Sequence, residues 1–94
     1  MKIPADHPAL PGHFPGHPVV PGVVLLASVV QALSKQQGRA MRATGFPAIK
    51  FLAPLLPEQE FDVRLNAKAP GRTVFEIISG AVTLANGTIS HETD

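Results

Sequence analysis

The chain has 94 residues, with eight Lys and Arg against seven Asp and Glu, four His and no Cys. That length sits near the lower limit for a single hydrophobic core, and the missing Cys excludes a disulfide staple. The composition is 45% hydrophobic with a positive mean hydropathy, rich for so small a monomer, so burial against another chain is the expected supplement. A formal net charge of +1 without a basic block gives nucleic-acid or anionic-membrane binding no electrostatic support. Aromatic residues make up 5% and include no Trp or Tyr, which argues against base stacking. The longest apolar run, Val19–Val30, is interrupted by Pro21, Gly22 and Ser28, short of the roughly 18 apolar residues that span a bilayer. Met1–Ala9 has no basic-then-apolar leader design and carries Pro4, Asp6 and His7. A cytoplasmic location without membrane attachment is the expectation.

The chain opens on a proline-dense stretch: Pro4, Pro8, Pro11, Pro15, Pro18 and Pro21. Each fixes its own φ and pushes its predecessor to extended geometry, so residues 4–20 are predicted as an extended, turning arm. Pro21 suits the first turn of a helix, where its missing N–H is no loss. From Gly22 to about Gln37, Val23, Leu26, Ala27, Val30, Leu33 and Ser34 follow helical spacing, while Val24, Leu25 and Val29 make the other side apolar too. A helix apolar nearly all round is expected to be buried and wrapped on several sides. Gly38 is placed as its stop, with Lys35 and Arg39 favourable near that end.

Beyond Gly45 the pattern changes to strands. Ala48–Pro54 is predicted as the first, and Glu60–Ala69 alternates with Phe61, Val63, Leu65 and Ala67 on one face. Pro70-Gly71 marks a turn and Thr73–Thr83 a second long strand. Asn86-Gly87 is the strongest short hairpin signal, predicted to join Ala81–Ala85 to Thr88–His91. One helix followed by an antiparallel meander predicts a single α+β domain over residues 1–94, with the sheet wrapped around the helix.

The stretch from His13 to Leu26, HFPGHPVVPGVVLL, closely resembles the H-F-P-G-x-P-x-x-P-G signature of the 3-hydroxyacyl-acyl carrier protein dehydratases. The segment before it, Pro4-Ala5-Asp6-His7-Pro8-Ala9-Leu10, is similar to the short dehydratases of aryl polyene clusters; the hydroxymyristoyl type is the other near relative. The likeness continues through Gln31 and Phe51-Leu52-Ala53-Pro54-Leu55-Leu56-Pro57, so it covers nearly the whole chain. It implies a hotdog fold, an antiparallel sheet around one long central helix, working as a dimer without a cofactor. It also implies a substrate: a 3-hydroxyacyl thioester on an acyl carrier protein, losing water to give the trans-2-enoyl product.

Dehydration needs a base for the C2 proton, an acid for the departing hydroxyl, and a donor for the charge that develops on the thioester oxygen. By the resemblance, His13 is the base, as imidazole chemistry near neutral pH allows. The carbonyl of Val19 would hold its other ring nitrogen, and the N–H of Gly22 would polarise the thioester at the helix start. Phe14, Val19, Val23, Gln31 and Phe51 are the expected substrate contacts. The family places Glu or Asp fourteen residues after the His, and that position here is Ala27. Ser28 is no substitute, and Gln31, one turn on from Ala27, can position a water but cannot donate a proton usefully.

Three accounts of the missing acid follow. His13 could make both proton transfers, a homologous subunit could supply the acid opposite His13 in a heterodimer, or the chain could only bind acyl groups or their carrier protein. A hotdog thioesterase is the alternative enzyme, and Ala27 counts against it equally. His7, His13 and His17 form no metal site, because Pro-fixed extended spacing does not converge them. His17 stands at a variable signature position and is expected to face solvent. Lys35, Arg39 and Arg42 make a modest basic patch able to meet an acidic carrier protein, although a solvated helix end is the account the sequence favours.

Overall fold

The computed structural model describes residues 1–8 and 19–93. Over them the chain runs α1 (Gly22–Gln37), β1 (Met41–Phe51), β2 (Asp62–Ala69), β3 (Arg72–Ser79) and β4 (Val82–Thr93). The strands form one antiparallel sheet in the order β1-β4-β3-β2. The α+β class expected from the sequence is therefore what the chain adopts. The signature residues 13–18, including His13, Phe14 and His17, lie outside the described residues.

The helix has the bounds its spacing predicted. Pro21 stands just before it as the N-cap (φ −60°, ψ 146°) rather than inside the first turn. Its carbonyl accepts the N–H groups of Val24 at 3.0 Å and Leu25 at 3.4 Å. Gly38 ends the helix in the left-handed region (φ 71°), which a side chain would strain.

The expectation of a helix wrapped on several sides is corrected. Val24, Leu25, Ser28, Val29 and Leu33 are buried. The stripe Val23, Ala27 and Gln31 is exposed, with Val23 72% accessible. One sheet can cover only one side of a helix, and these four strands take the side that carries Val29 and Leu33. Ser28 tolerates burial because its hydroxyl donates to the Val24 carbonyl at 3.2 Å.

Strand β1 begins at Met41 rather than Ala48, because its pairing with β4 shifts register between Ala43 and Gly45 and again between Gly45 and Ala48. Those irregularities break the period-2 pattern that marks a strand in sequence. Pro47, which has no N–H for a ladder, falls within the second shift, on the sheet's edge strand. The second strand starts at Asp62 rather than Glu60. The third ends at Ser79 rather than Thr83, and Gly80 (φ 59°) opens the turn into β4.

The hairpin at Asn86-Gly87 does not exist. Both residues run through the middle of β4, where Gly87 faces Phe75 on one side and Ile49 on the other. Gly87 is small for a different reason than turning: a Cβ there would collide with the backbone carbonyl of Ala48. Close approach of two backbones at the β1 irregularity requires glycine, and the Asn before it makes the pair mimic a turn signal.

Alternation divides most of the sheet and breaks at Ile77/Ile78 and Leu84/Ala85, where neighbouring residues are both buried. Val63, Leu65, Phe75, Ile77, Ala85 and Ile89 belong to the core with Leu25, Val29 and Leu33 of the helix. Phe75, Ile77, Ala85, Ile89, Val29 and Leu33 are wholly inaccessible. Phe46 meets Phe75 edge-to-face at 6.1 Å. The opposite face carries the cross-strand row Arg64, Glu76, Asn86 and Lys50. Buried Thr73 shares a 2.8 Å hydrogen bond with the Nε2 of His91.

Two substitutions separate the roles of the strand glycines. Gly87→Ala is expected to lower unfolding free energy by at least about 2 kcal/mol, since backbone rather than a flexible side chain must yield. Gly45→Ala, where a Cβ meets nothing within 4 Å, should be neutral or stabilise by up to about 1 kcal/mol. Urea unfolding at equal protein concentration measures both.

Candidate active site at the start of the helix

The first turn of α1 leaves donors unused. No side chain caps it, and the N–H groups of Gly22 and Val23 have no partner among the described residues. Such donors, with the helix dipole behind them, suit an oxygen that carries developing negative charge.

The Gly22 donor stands at a depression of about 440 Å³ between the helix start and the loop after β1. Val19, Gly22, Leu25, Phe51, Leu52 and Pro54 contribute to its lining. The loop is held in place by hydrogen bonds from the N–H groups of Leu52 (2.8 Å) and Ala53 (3.1 Å) to the Leu84 carbonyl. Val20 docks by donating to the Leu55 carbonyl at 2.9 Å. None of the described lining residues is titratable; they offer apolar contact and backbone donors.

Phe51 and Gly22 explain each other. The Phe51 ring lies against the helix start so closely that a Cβ on Gly22 would sit 2.8 Å from its Cζ and 3.2 Å from its Cε1. The ring is nonetheless half exposed, as are Leu52 and Leu56. Glycine at this position therefore does more than start a helix: it lets an aromatic wall stand against the first turn.

Of the residues singled out in the sequence, the structure brings Val19, Gly22 and Phe51 to one depression. Val23 and Gln31 lie elsewhere, on the exposed stripe with Ala27. Gln31 lines a separate depression of about 560 Å³ with Lys35 and with Asp62 and Leu65 of β2. His13 and Phe14 fall outside the described residues. Leu52, Pro54 and Leu55 were missed as lining residues; the apolar run 51–56 was visible, but only the fold shows that Leu52 and Pro54 are exposed while Leu55 is buried in the core. A larger depression of about 660 Å³ on the outer sheet face is lined by polar groups such as Arg64, Glu76 and Asn86 and lies away from the helix start. No cluster of three metal-ligating side chains occurs among the described residues, and no helix there is long and apolar enough to cross a membrane.

Known proteins place this arrangement. In the solved dehydratase heterocomplex ApeI:P from Xenorhabdus doucetiae, a chain superposes with a TM-score of 0.82 at 21% identity, over 97% of this chain and 81% of that one. An uncharacterised protein from Erwinia carotovora superposes with a TM-score of 0.71 at 26% identity, over 98% and 78%. The fold is the hotdog fold. The model of the ApeI-like family, described as ApeI dehydratase, matches residues 1–88, and the chain belongs to that family. The 3-hydroxyacyl-[acyl-carrier-protein] dehydratase FabZ of Haemophilus influenzae is 32% identical over 97% of this chain. The FabZ of Thermus thermophilus is 46% identical over 51% of it. The chain spans 66% of the length of the Haemophilus relative and 33% of the Thermus one.

The Gly22–Phe51 contact predicts strong coupling. Gly22→Ala alone forces the ring aside, whereas in a Phe51→Ala background the new methyl meets space. A double-mutant cycle on unfolding free energy should give an interaction of about 1 kcal/mol or more, with the double variant more stable than additivity allows.

Proposed function

We propose that the chain is a subunit of a 3-hydroxyacyl-acyl carrier protein dehydratase whose site is completed by a second hotdog subunit. The observation that carries this reading is the Gly22 N–H, without a partner among the described residues and set at an apolar depression in a member of the ApeI-like family. The Gly22 N–H binds the thioester oxygen, and its positive end of the helix dipole lowers the cost of enolate character there. His13 removes the C2 proton, with the Val19 carbonyl orienting its ring. The C3–O bond then breaks, a proton joins the departing hydroxide to make water, and the trans-2-enoyl thioester remains. Phe14, Val19, Val23 and Phe51 hold the acyl chain, and Gln31 orients water on the stripe below. No cofactor takes part.

The proton for the leaving hydroxyl has to come from elsewhere, because the expected position is Ala27. Loss of a positioned general acid typically lowers the rate by about 10²–10⁴. A homodimer would therefore be a poor enzyme. Two features support a second, acid-bearing subunit. The stripe of Val23, Ala27 and Gln31 is uncovered, and β1 leaves the sheet with an open edge that exposes Ile49 and Phe51. The Xenorhabdus neighbour is itself described as a dehydratase heterocomplex. A cytoplasmic setting, where a carrier protein would deliver the substrate, belongs to the same reading.

Mixing decides it. With an acid-bearing homologue present, turnover of a 3-hydroxyacyl carrier-protein thioester is expected to exceed that of this chain alone by roughly 10²-fold or more. His13→Ala in this chain should abolish that gain. Ala27→Glu should raise the activity of the chain alone. A module that only binds acyl groups would instead show no turnover in either setting, even with Ala27→Glu.

A further inference from the structure

The first residues of the chain start an extra strand and then leave the edge of the sheet open. Phe61 and Met1 exchange both backbone hydrogen bonds. The Phe61 N–H donates to the Met1 carbonyl at 2.8 Å, and the Met1 nitrogen donates to the Phe61 carbonyl at 2.9 Å. Such an exchange is one rung of an antiparallel ladder. Ile3 follows, with its side chain in the core and its carbonyl accepting the Glu58 N–H at 2.8 Å. Pairing with this arm ends at Phe61, one residue before β2 begins.

Backbone groups along a strand alternate in direction with a period of two. Phe61 turns its N–H and carbonyl outward, so Val63, Leu65 and Ala67 turn theirs to the same side. Burial alternates in the same phase from Phe61 to Leu65. Strand β2 is an edge of the sheet and pairs only with β3. No other backbone hydrogen bond reaches these three residues among the described residues.

Beside the open edge, a depression of about 560 Å³ runs between strand and helix, lined by Val63 and Leu65 of β2 and by Ala32, Lys35 and Gln36 of α1. Val63 and Leu65 are partly buried and pack on the core. Lys35, Arg64 and Lys68 are exposed and form no ion pair among the described residues. Against them the strand carries a single acid, Asp62. Cations on an edge deter unwanted pairing. An edge that is only guarded, however, has no use for a trough that fits the alternate side chains of an added strand.

We propose that the β2 edge is a docking site for an extended, acidic segment of a partner polypeptide. The segment takes up the edge where the N-terminal arm leaves it. Its backbone bonds to Val63, Leu65 and Ala67, and its alternate apolar side chains lie in the trough on Val63 and Leu65. The acidic residues between them face Arg64, with Lys35 and Lys68 adding attraction. The ladder supplies affinity, and the trough and cations supply selectivity.

The probe is a capped eight-residue peptide of alternating Glu and Val, titrated against the intact chain. Saturable binding is expected, at least roughly tenfold weaker when Lys replaces each Glu and weaker again as salt is added. Arg64→Gln combined with Lys68→Gln should weaken it several-fold with the melting temperature unchanged. N-methylation of the peptide's Val residues, whose N–H groups would join the ladder, should abolish it. Amide exchange reads the register directly. On binding, Val63, Leu65 and Ala67 should slow by roughly tenfold or more, while Asp62, Arg64 and Asn66 change little. Absence of binding, equal binding by the Lys or N-methylated peptide, or protection that misses those three amides would overturn the proposal. Protection of the same amides in the free chain would overturn it too, because a second copy or the chain itself would then hold the edge.

Discussion

A helix with apolar residues nearly all round has to be covered on every side, and the sheet of this chain covers one. That constraint organises the rest. Burying Val24, Leu25, Val29 and Leu33 against Phe75, Ile77, Ala85 and Ile89 holds the molecule together, and each such contact removes apolar surface from water at about 25 cal/mol per Å². The opposite stripe, with Val23 at 72% exposure, gains nothing from this fold alone. The uncovered stripe is also the one on which the family's acid would stand, so incomplete burial and incomplete chemistry share a face.

The helix start is where folding and function meet. Pro21 cannot donate, no side chain caps the turn, and Phe51 occupies the space that a residue larger than Gly22 would need. Each feature would be a small defect in a purely structural helix. Together they leave N–H groups without a partner among the described residues beside an apolar wall, and a helix start of that kind favours an oxygen that carries negative charge.

Legibility followed the regularity of the physics. The helix bounds were readable because Pro21 and Gly38 act locally and the apolar spacing is long. The α+β class followed from one helix and later alternation. Two register shifts hid the first half of β1, since a bulge breaks the period-2 pattern that identifies strands. The Asn86-Gly87 signal misled because glycine serves both turns and close backbone approach, and only the position of Ala48 distinguishes them. At the site, a glycine at the helix start was legible in the signature, but its contact with Phe51 spans the helix and the end of β1 and is not a local property. The exposure of Val23 and Gln31 was equally invisible, because sequence shows that a face is apolar without showing what covers it.

The central claim is that His13 of this chain and an acid of a second subunit make one site. Complementation tests it most directly: this chain is mixed with an acid-bearing homologue whose own signature histidine has been replaced by Ala, and dehydration of a 3-hydroxyacyl carrier-protein thioester is followed. The account predicts turnover in the mixture and none from the disabled homologue alone. A stable mixed complex without turnover, formed by a homologue that is active before its histidine is removed, would contradict it.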